Sequence, residues 1–274
     1  MFCKTTIILL FLFLSGCSFF EPSPARIRIA GSDTMLLLVK KLSAEYMRAH
    51  PGVAIYVEGG GTAKGLEKLS KGKIDICMAS RSVRPGEAKK MADEFGLLGM
   101  SFLIAKDALS VYLNPENPVK DLSMEELKRI FTCDITNWNE AGGDKAPVEV
   151  ITRSPNSGTH LYFKQHILEG EEYCEKASIA YSTQNVIELV SMNKYAAGYG
   201  GIAYGDSVYH AKINGFAPNS ENIINNKYPI IRYLQFYTLN IPKGRVKEFI
   251  DWVLSPEGQE IVAETGYHPL FLRN

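Results

Sequence analysis

The chain has 274 residues, 46% of them hydrophobic, and its 30 Lys and Arg are balanced by 30 Asp and Glu. A formal charge of zero gives no global field to attract nucleic acid or an acidic membrane surface, so any anion site must be local. The length allows one large domain or two modest ones.

At the N-terminus, Lys4 precedes an apolar run over 7–14 that ends in Leu14-Ser15-Gly16-Cys17. A positive flank, an apolar core too short to span a bilayer and small residues before a cut site read as a secretory signal over 1–16. Leu-Ser-Gly-Cys resembles the bacterial lipobox. That implies lipidation of Cys17, a tether over 17–24, and a cell-envelope location anchored to a membrane by lipid. Cys77, Cys133 and Cys174 remain in the body of the chain. Their odd number, wide spacing and lack of a Cys-x-x-Cys pair argue against a metal site or a disulfide framework. One bridge at most is open to them, and buried free thiols are the favoured reading.

Strand and helix patterns then alternate. Residues 26–30 alternate polar and apolar, as a half-buried strand does. An amphipathic helix is predicted over 35–50, with Leu37, Val39, Leu42, Tyr46 and Met47 as its apolar positions, and Pro51-Gly52 stops it. A strand over 53–57 leads through Gly59-Gly60-Gly61-Thr62 into a helix carrying Leu66 and Leu69, and a third strand is predicted over 74–78. Further on come a strand at 108–113, a helix at 124–131, a strand at 148–151 and a helix through Leu161, Phe163 and Ile167. A helix at 186–192, glycine-rich and apolar strands at 198–204 and 233–239, and helices at 246–254 and 256–265 complete the order. The charges of Glu87, Lys89, Lys90 and Asp93 read as a solvated helix face. Such alternation predicts an α/β fold with a mainly parallel sheet and ligands at the C-terminal ends of the strands. No linker separates two self-contained halves. The predicted topology is two lobes of interleaved chain, 25–105 plus 232–274 and 106–231, with crossings near 104–108 and 228–234.

Three strand-to-helix loops share one chemistry: Gly31-Ser32-Asp33-Thr34, Gly59-Gly60-Gly61-Thr62 and Asn156-Ser157-Gly158-Thr159. The first turn of a helix offers unpaired N–H donors and partial positive charge. Glycine lets the backbone approach a ligand, and hydroxyls rotate to donate further bonds. Together they suit a tetrahedral anion. Arg153 adds a fixed charge and a fork for two oxygens, and Arg81, after Ala79-Ser80, is a second candidate.

At these residues the chain resembles the PstS-type phosphate-binding proteins, the substrate-capturing subunits of phosphate ABC transporters. The similarity also takes in Gly61-Thr62-Ala63-Lys64-Gly65-Leu66, the stretch Asp75 to Arg81, and Arg153-Ser154-Pro155-Asn156-Ser157-Gly158-Thr159, the most specific motif. The stretches 130–138, 201–204 and 254–259 are similar to framework segments of the family. The resemblance implies a two-lobed periplasmic-binding-protein fold of type II, phosphate in the cleft, a membrane permease as partner, a monomer and no cofactor. It carries binding roles onto Thr34 with the Met35 amide, Thr62, Ser80, Arg153, Ser157, Gly158 and Thr159, with Ser32 and Arg81 as additions. Some members place an aspartate where Ser80 aligns, and that carboxylate accepts the proton of hydrogen phosphate. Here the nearest loop carboxylate is Asp33, which either faces the ligand and supplies selectivity or caps the helix beginning near Met35.

Other chemistries are weaker. No Gly-x-Ser-x-Gly elbow is present, and His160 beside Ser157 in sequence does not make a triad. Residues 59–64 lack the Gly-Lys-Ser/Thr of a phosphate-binding nucleotide loop. His50, His160, His166, His210 and His268 are scattered without ligand spacing. Trp138, Trp252, Tyr199 and Tyr204 read as core, with a place at the border of the cleft, short of contact, open to Tyr199 and Tyr204 in their glycine-rich surroundings. A binding protein for molybdate, tungstate or sulfate, and a sensor or adhesin on the same fold, are the rival functions.

Overall fold

The computed structural model describes residues 24–96 and 98–271. The expected signal segment, Cys17 and the tether up to residue 23 lie outside them. In chain order the elements are β1 (Ala25–Gly31), α1 (Leu36–Ala49), β2 (Val53–Glu58), α2 (Thr62–Ser70), β3 (Ile76–Ala79), α3 (Pro85–Phe95), β4 (Met100–Leu113), β5 (Asp121–Leu122) and α4 (Met124–Thr132). They continue with β6 (Glu149–Arg153), α5 (Gly158–His166), β7 (Ser178–Ala180), α6 (Thr183–Met192), β8 (Ala196–Gly201), β9 (Tyr209–His210), β10 (Lys212–Ile213), α7 (Ser220–Ile224), β11 (Ile231–Thr238), α8 (Gly244–Val253) and α9 (Pro256–Glu264).

Local pattern explains most of them. In β1 the alternation buries Ile27 and Ile29 while Arg26 and Arg28 stay exposed. In α1, Leu38, Val39, Leu42 and Tyr46 lie on one face and pack with Phe249, Ile250 and Ile261 of α8 and α9. Ser123 and Glu126 close a reciprocal cap on α4, each accepting from the other's amide.

The strands pair in the order β2-β1-β3-β11-β4-β8-β6-β7, with β9 also against β4 and a separate β5–β10 pair. The outer pairs β1–β2, β1–β3, β6–β7 and β6–β8 are parallel. The centre corrects the expectation of a mainly parallel sheet: β11 runs antiparallel to β3 and β4, and β4 antiparallel to β8 and β9. The reason is topological. A chain that leaves one lobe on β4 returns on β11, so the two must oppose each other. β4 is also longer than the predicted 108–113, because Lys106 and Asp107 interrupt its apolar pattern.

The core divides around these two strands. One apolar cluster joins Ile27, Leu38, Met78, Ile104, Leu234, Phe236 and Phe249. A second joins Leu109, Val111, Phe131, Trp138, Phe163, Tyr199 and Ile230. Strands β4 and β11 contribute to both, and the two-lobed α/β architecture follows.

The cysteine reading needs correction. Cys133 and Cys174 form a disulfide with a Cα–Cα distance of 5.1 Å, and among the described residues only Cys77 is free, and it is buried. Cys133 is the left-handed cap that ends α4, and the Cys174 amide donates to Phe131 O at 2.8 Å, which brings the two together across 41 residues. Sequence spacing carries no trace of that return. The Cys133→Ala/Cys174→Ala protein is expected to lose about 4 kcal/mol of stability through its less constrained unfolded state. A urea midpoint within experimental error of the native value would contradict this.

Candidate anion-binding site

The three predicted loops meet between the lobes. Gly61 adopts φ +94°, and a Cβ there would lie 2.4 Å from Asn156 O, so only glycine lets the first lobe's loop touch the second's. The Ala63 amide donates to Asn156 O at 3.2 Å, and Gly61 N donates to Gly31 O at 2.8 Å. Thr34, on a single 3-10 turn over Asp33–Met35, places its hydroxyl 2.9 Å from that of Thr159 at the start of α5. Gly158 packs against the other hydroxyls: its missing Cβ would come within 2.3 Å of Thr62 Oγ1 and 2.6 Å of Ser80 Oγ. Thr62 Oγ1 accepts from the Ser80 amide at 3.3 Å. Ser32, Thr34, Thr62, Ser80, Ser157 and Thr159 are all buried, and Ser80 Oγ has no partner among the described residues. Ser157 caps α5, its hydroxyl accepting from His160 N.

Arg153, at the end of β6, enters the same cluster with its side chain 1% exposed. Nη1 donates to Thr183 Oγ1 at 2.9 Å and Nη2 to Asp33 Oδ2 at 3.0 Å, while Nε has no partner among the described residues. Burial lowers its pKa, yet a guanidinium stays charged. Asp33 also accepts from Gly60 N at 2.9 Å. It therefore does not cap α1; it ties the glycine loop of one lobe to the arginine of the other.

Two expected contributors are engaged elsewhere. Arg81 forks onto Glu87 at 2.7 and 2.8 Å and donates to Ser82 O. Burial pushes the Glu87 carboxyl up, but Arg81 and Arg84 outweigh it and leave its pKa low. Glu87 thus belongs to this pair rather than to the solvated face of α3. The Met35 amide donates to Ser32 O at 3.1 Å within its turn.

Sequence reasoning left several residues around the site off its list of contacts. Tyr204 donates to Asp33 O at 2.8 Å, and burial raises its pKa to about 12. Tyr267 donates to Thr34 O. Arg232 on β11 donates to Thr159 Oγ1 at 3.0 Å and pairs with Asp107 on β4. A charged residue at an inward position of an apolar strand was the available signal for Asp107 and Arg232; glycine-rich surroundings were the signal for Tyr204, and Tyr267 carried none.

Among the described residues, each of the three buried arginines is matched by a carboxylate: Arg153 by Asp33, Arg81 by Glu87, Arg232 by Asp107. An anion here would be held by aligned donors and the α5 N-terminus rather than by net charge. The cluster lacks a nucleophile with an oriented base. His160 stacks on Tyr173, lies 3.3 Å from Thr152 Oγ1, and is held by burial near a pKa of about 4. Among the described residues no group of His, Cys, Asp and Glu could hold a metal, and no helix is long and apolar enough to cross a membrane.

Two α/β lobes joined by a pair of antiparallel strands, with donor-rich loops meeting between them, define a binding protein of the type II periplasmic class. Residues 20–257 match the PBP superfamily domain. The phosphate-binding protein PstS of Bacillus subtilis (strain 168) is 32% identical over 253 residues, which cover 91% of this chain and 82% of the relative. That of Borreliella burgdorferi is 27% identical over 96% of this chain and 98% of its own. A Clostridium perfringens substrate-binding protein with bound phosphate superposes with a TM-score of 0.84 at 31% identity, over 90% of this chain and 100% of the other. The chain belongs to the PstS family of phosphate-binding proteins.

Proposed function

We propose that this protein captures inorganic phosphate between its lobes and delivers it to the permease of an ABC transporter, acting as a monomer and without catalysis. The observation that carries the reading is the buried cluster of Thr34, Thr62, Ser80, Arg153 and the Ser157-Gly158-Thr159 turn, in which Ser80 Oγ and Arg153 Nε lack partners among the described residues. Buried donors without acceptors are costly, and an oxyanion supplies acceptors on every side. The Met35 amide and Arg81 would join only if their present bonds rearranged, and Ser32 is buried in the same turn as Met35.

The Thr34–Thr159, Asp33–Arg153 and Ala63–Asn156 contacts all cross between lobes. Opening would break them, so a ligand bonded to both sides favours closure. We place the lobe boundaries within β4 and β11, as 25–105 plus 232–274 and 106–231. Export with lipid on Cys17 fits the disulfide, which persists in oxidising compartments.

Calorimetric titration of the ligand-stripped protein with phosphate, sulfate, arsenate and molybdate tests the reading. Heat with phosphate and none with sulfate is expected. A response to another oxyanion alone would replace the substrate, and silence toward all of them in a folded protein would refute anion capture. Gly158→Ala forces a methyl against the Thr62 and Ser80 hydroxyls and is expected to reduce phosphate affinity at least about tenfold, since displacing one charge-assisted hydrogen bond loses ~1.5–3 kcal/mol. Unchanged affinity would place the ligand away from this turn. For selectivity, Asp33→Asn should lower the phosphate-over-sulfate ratio; an unchanged ratio removes Asp33 from that role.

A further inference from the structure

Behind the hydroxyl pair, at the centre of the sheet, lies an ion pair to which the reading above assigns no part. Asp107 and Arg232 face each other across β4 and β11, with side chains 0% and 1% exposed. Arg232 Nε donates to Asp107 Oδ2 at 2.8 Å, and Nη2 lies 2.8 Å from the same oxygen without hydrogen-bond alignment. Asp107 Oδ1 accepts from Ile202 N at 3.2 Å. So held, the guanidinium presents Nη1 to Thr159 Oγ1 at 3.0 Å, and Thr159 Oγ1 is 2.9 Å from Thr34 Oγ1.

An arginine has only donors, so Thr159 accepts this bond whichever way the proton between the two threonines points. Two hydroxyls hold two protons. One lies within the pair and the other faces out of it, polarised by the buried cation into a stronger donor. We propose that Arg232 is a positioning residue for anion binding. From the strands that cross between lobes it engages Thr159 as an acceptor, and so turns the Thr34–Thr159 pair into one strong donor toward an oxyanion. Asp107 acts one step further out by fixing the direction of Arg232. The proposal rests on the phosphate reading.

Phosphate titrations of four proteins test it: native, Asp107→Asn/Arg232→Gln, Thr159→Val, and the three substitutions combined. The neutral amide pair keeps the side-chain volumes roughly in place and leaves no isolated buried charge. With Thr159 present it should weaken phosphate binding about tenfold or more, and on the Thr159→Val background less than about twofold, because the two sites act through one bond. An equal loss on both backgrounds would show that the pair acts through the fold, and no loss on either would show that it does not act; both results overturn the proposal. Absence of phosphate heat from the native protein would remove the parent reading as well, so the two failures are told apart. If the amide pair does not fold by circular dichroism, Arg232→Lys carries the same comparison. Its ammonium keeps the charge beside Asp107 but lacks the fork that also reaches Thr159.

Discussion

Arg153→Ala is expected to weaken phosphate binding by more than tenfold, the largest loss of affinity from any single substitution in the site. The guanidinium is 1% exposed and clamped along one edge by Thr183 and Asp33, so its orientation is set before any ligand arrives. Truncating one partner of a buried, hydrogen-bonded charge pair costs ~2–5 kcal/mol, much of it from the group left behind. Here that group is Asp33, which would keep only the Gly60 amide and would face an incoming dianion with its charge uncompensated. Arg153→Lys should fall between native and Ala, because an ammonium keeps the charge but cannot bridge Thr183 and Asp33 together. Titration beside urea unfolding separates lost affinity from lost stability. Near-native phosphate affinity in a folded Arg153→Ala protein would mean that the anion binds elsewhere.

The second large effect is on stability. Asp107→Ala is expected to destabilise the protein by ~3–5 kcal/mol, because it strands the Arg232 cation in the centre of the sheet. Burial pushes the Asp107 carboxyl up and Arg232 opposes that shift, so each member of the pair is tolerable only beside the other. Asp107→Leu/Arg232→Met should recover much of the loss, since replacing both charges removes the desolvation penalty along with the attraction. The comparison is made by urea unfolding at constant pH. A single mutant less than about 1 kcal/mol below native, or a double mutant worse than the single, would show that the pair does not stabilise the crossing strands.

Much of the site was legible because its signals are local. A glycine-rich turn before a helix, a hydroxyl at its first position and an arginine closing a strand each declare themselves within a turn or two of chain. Arg153, Thr34, Thr62 and Ser157-Gly158-Thr159 stand out on that ground, Ser80 comes from the family resemblance, and they meet in space. Arg81 shows where the same reasoning stops. Its sequence context resembles that of Arg153, yet Glu87, in the first turn of α3, captures both of its terminal nitrogens. For Arg153 the competing carboxylate, Asp33, lies 120 residues away in the chain and within the site itself.

By itself the sequence determined the α/β class, the three loops and most of the longer strands and helices, because periodicity, capping and turn chemistry act over one or two turns of chain, and the resemblance of its loop motifs pointed to the family. Only the tertiary structure decided the antiparallel centre of the sheet, the Cys133–Cys174 bridge, the partner of each buried arginine and the place of Asp107, Arg232, Tyr204 and Tyr267 around the site. Those features depend on which distant segments share a core. Burial lets one carboxylate or one carbonyl outcompete water for a donor, and no local pattern announces which partner the packing will supply.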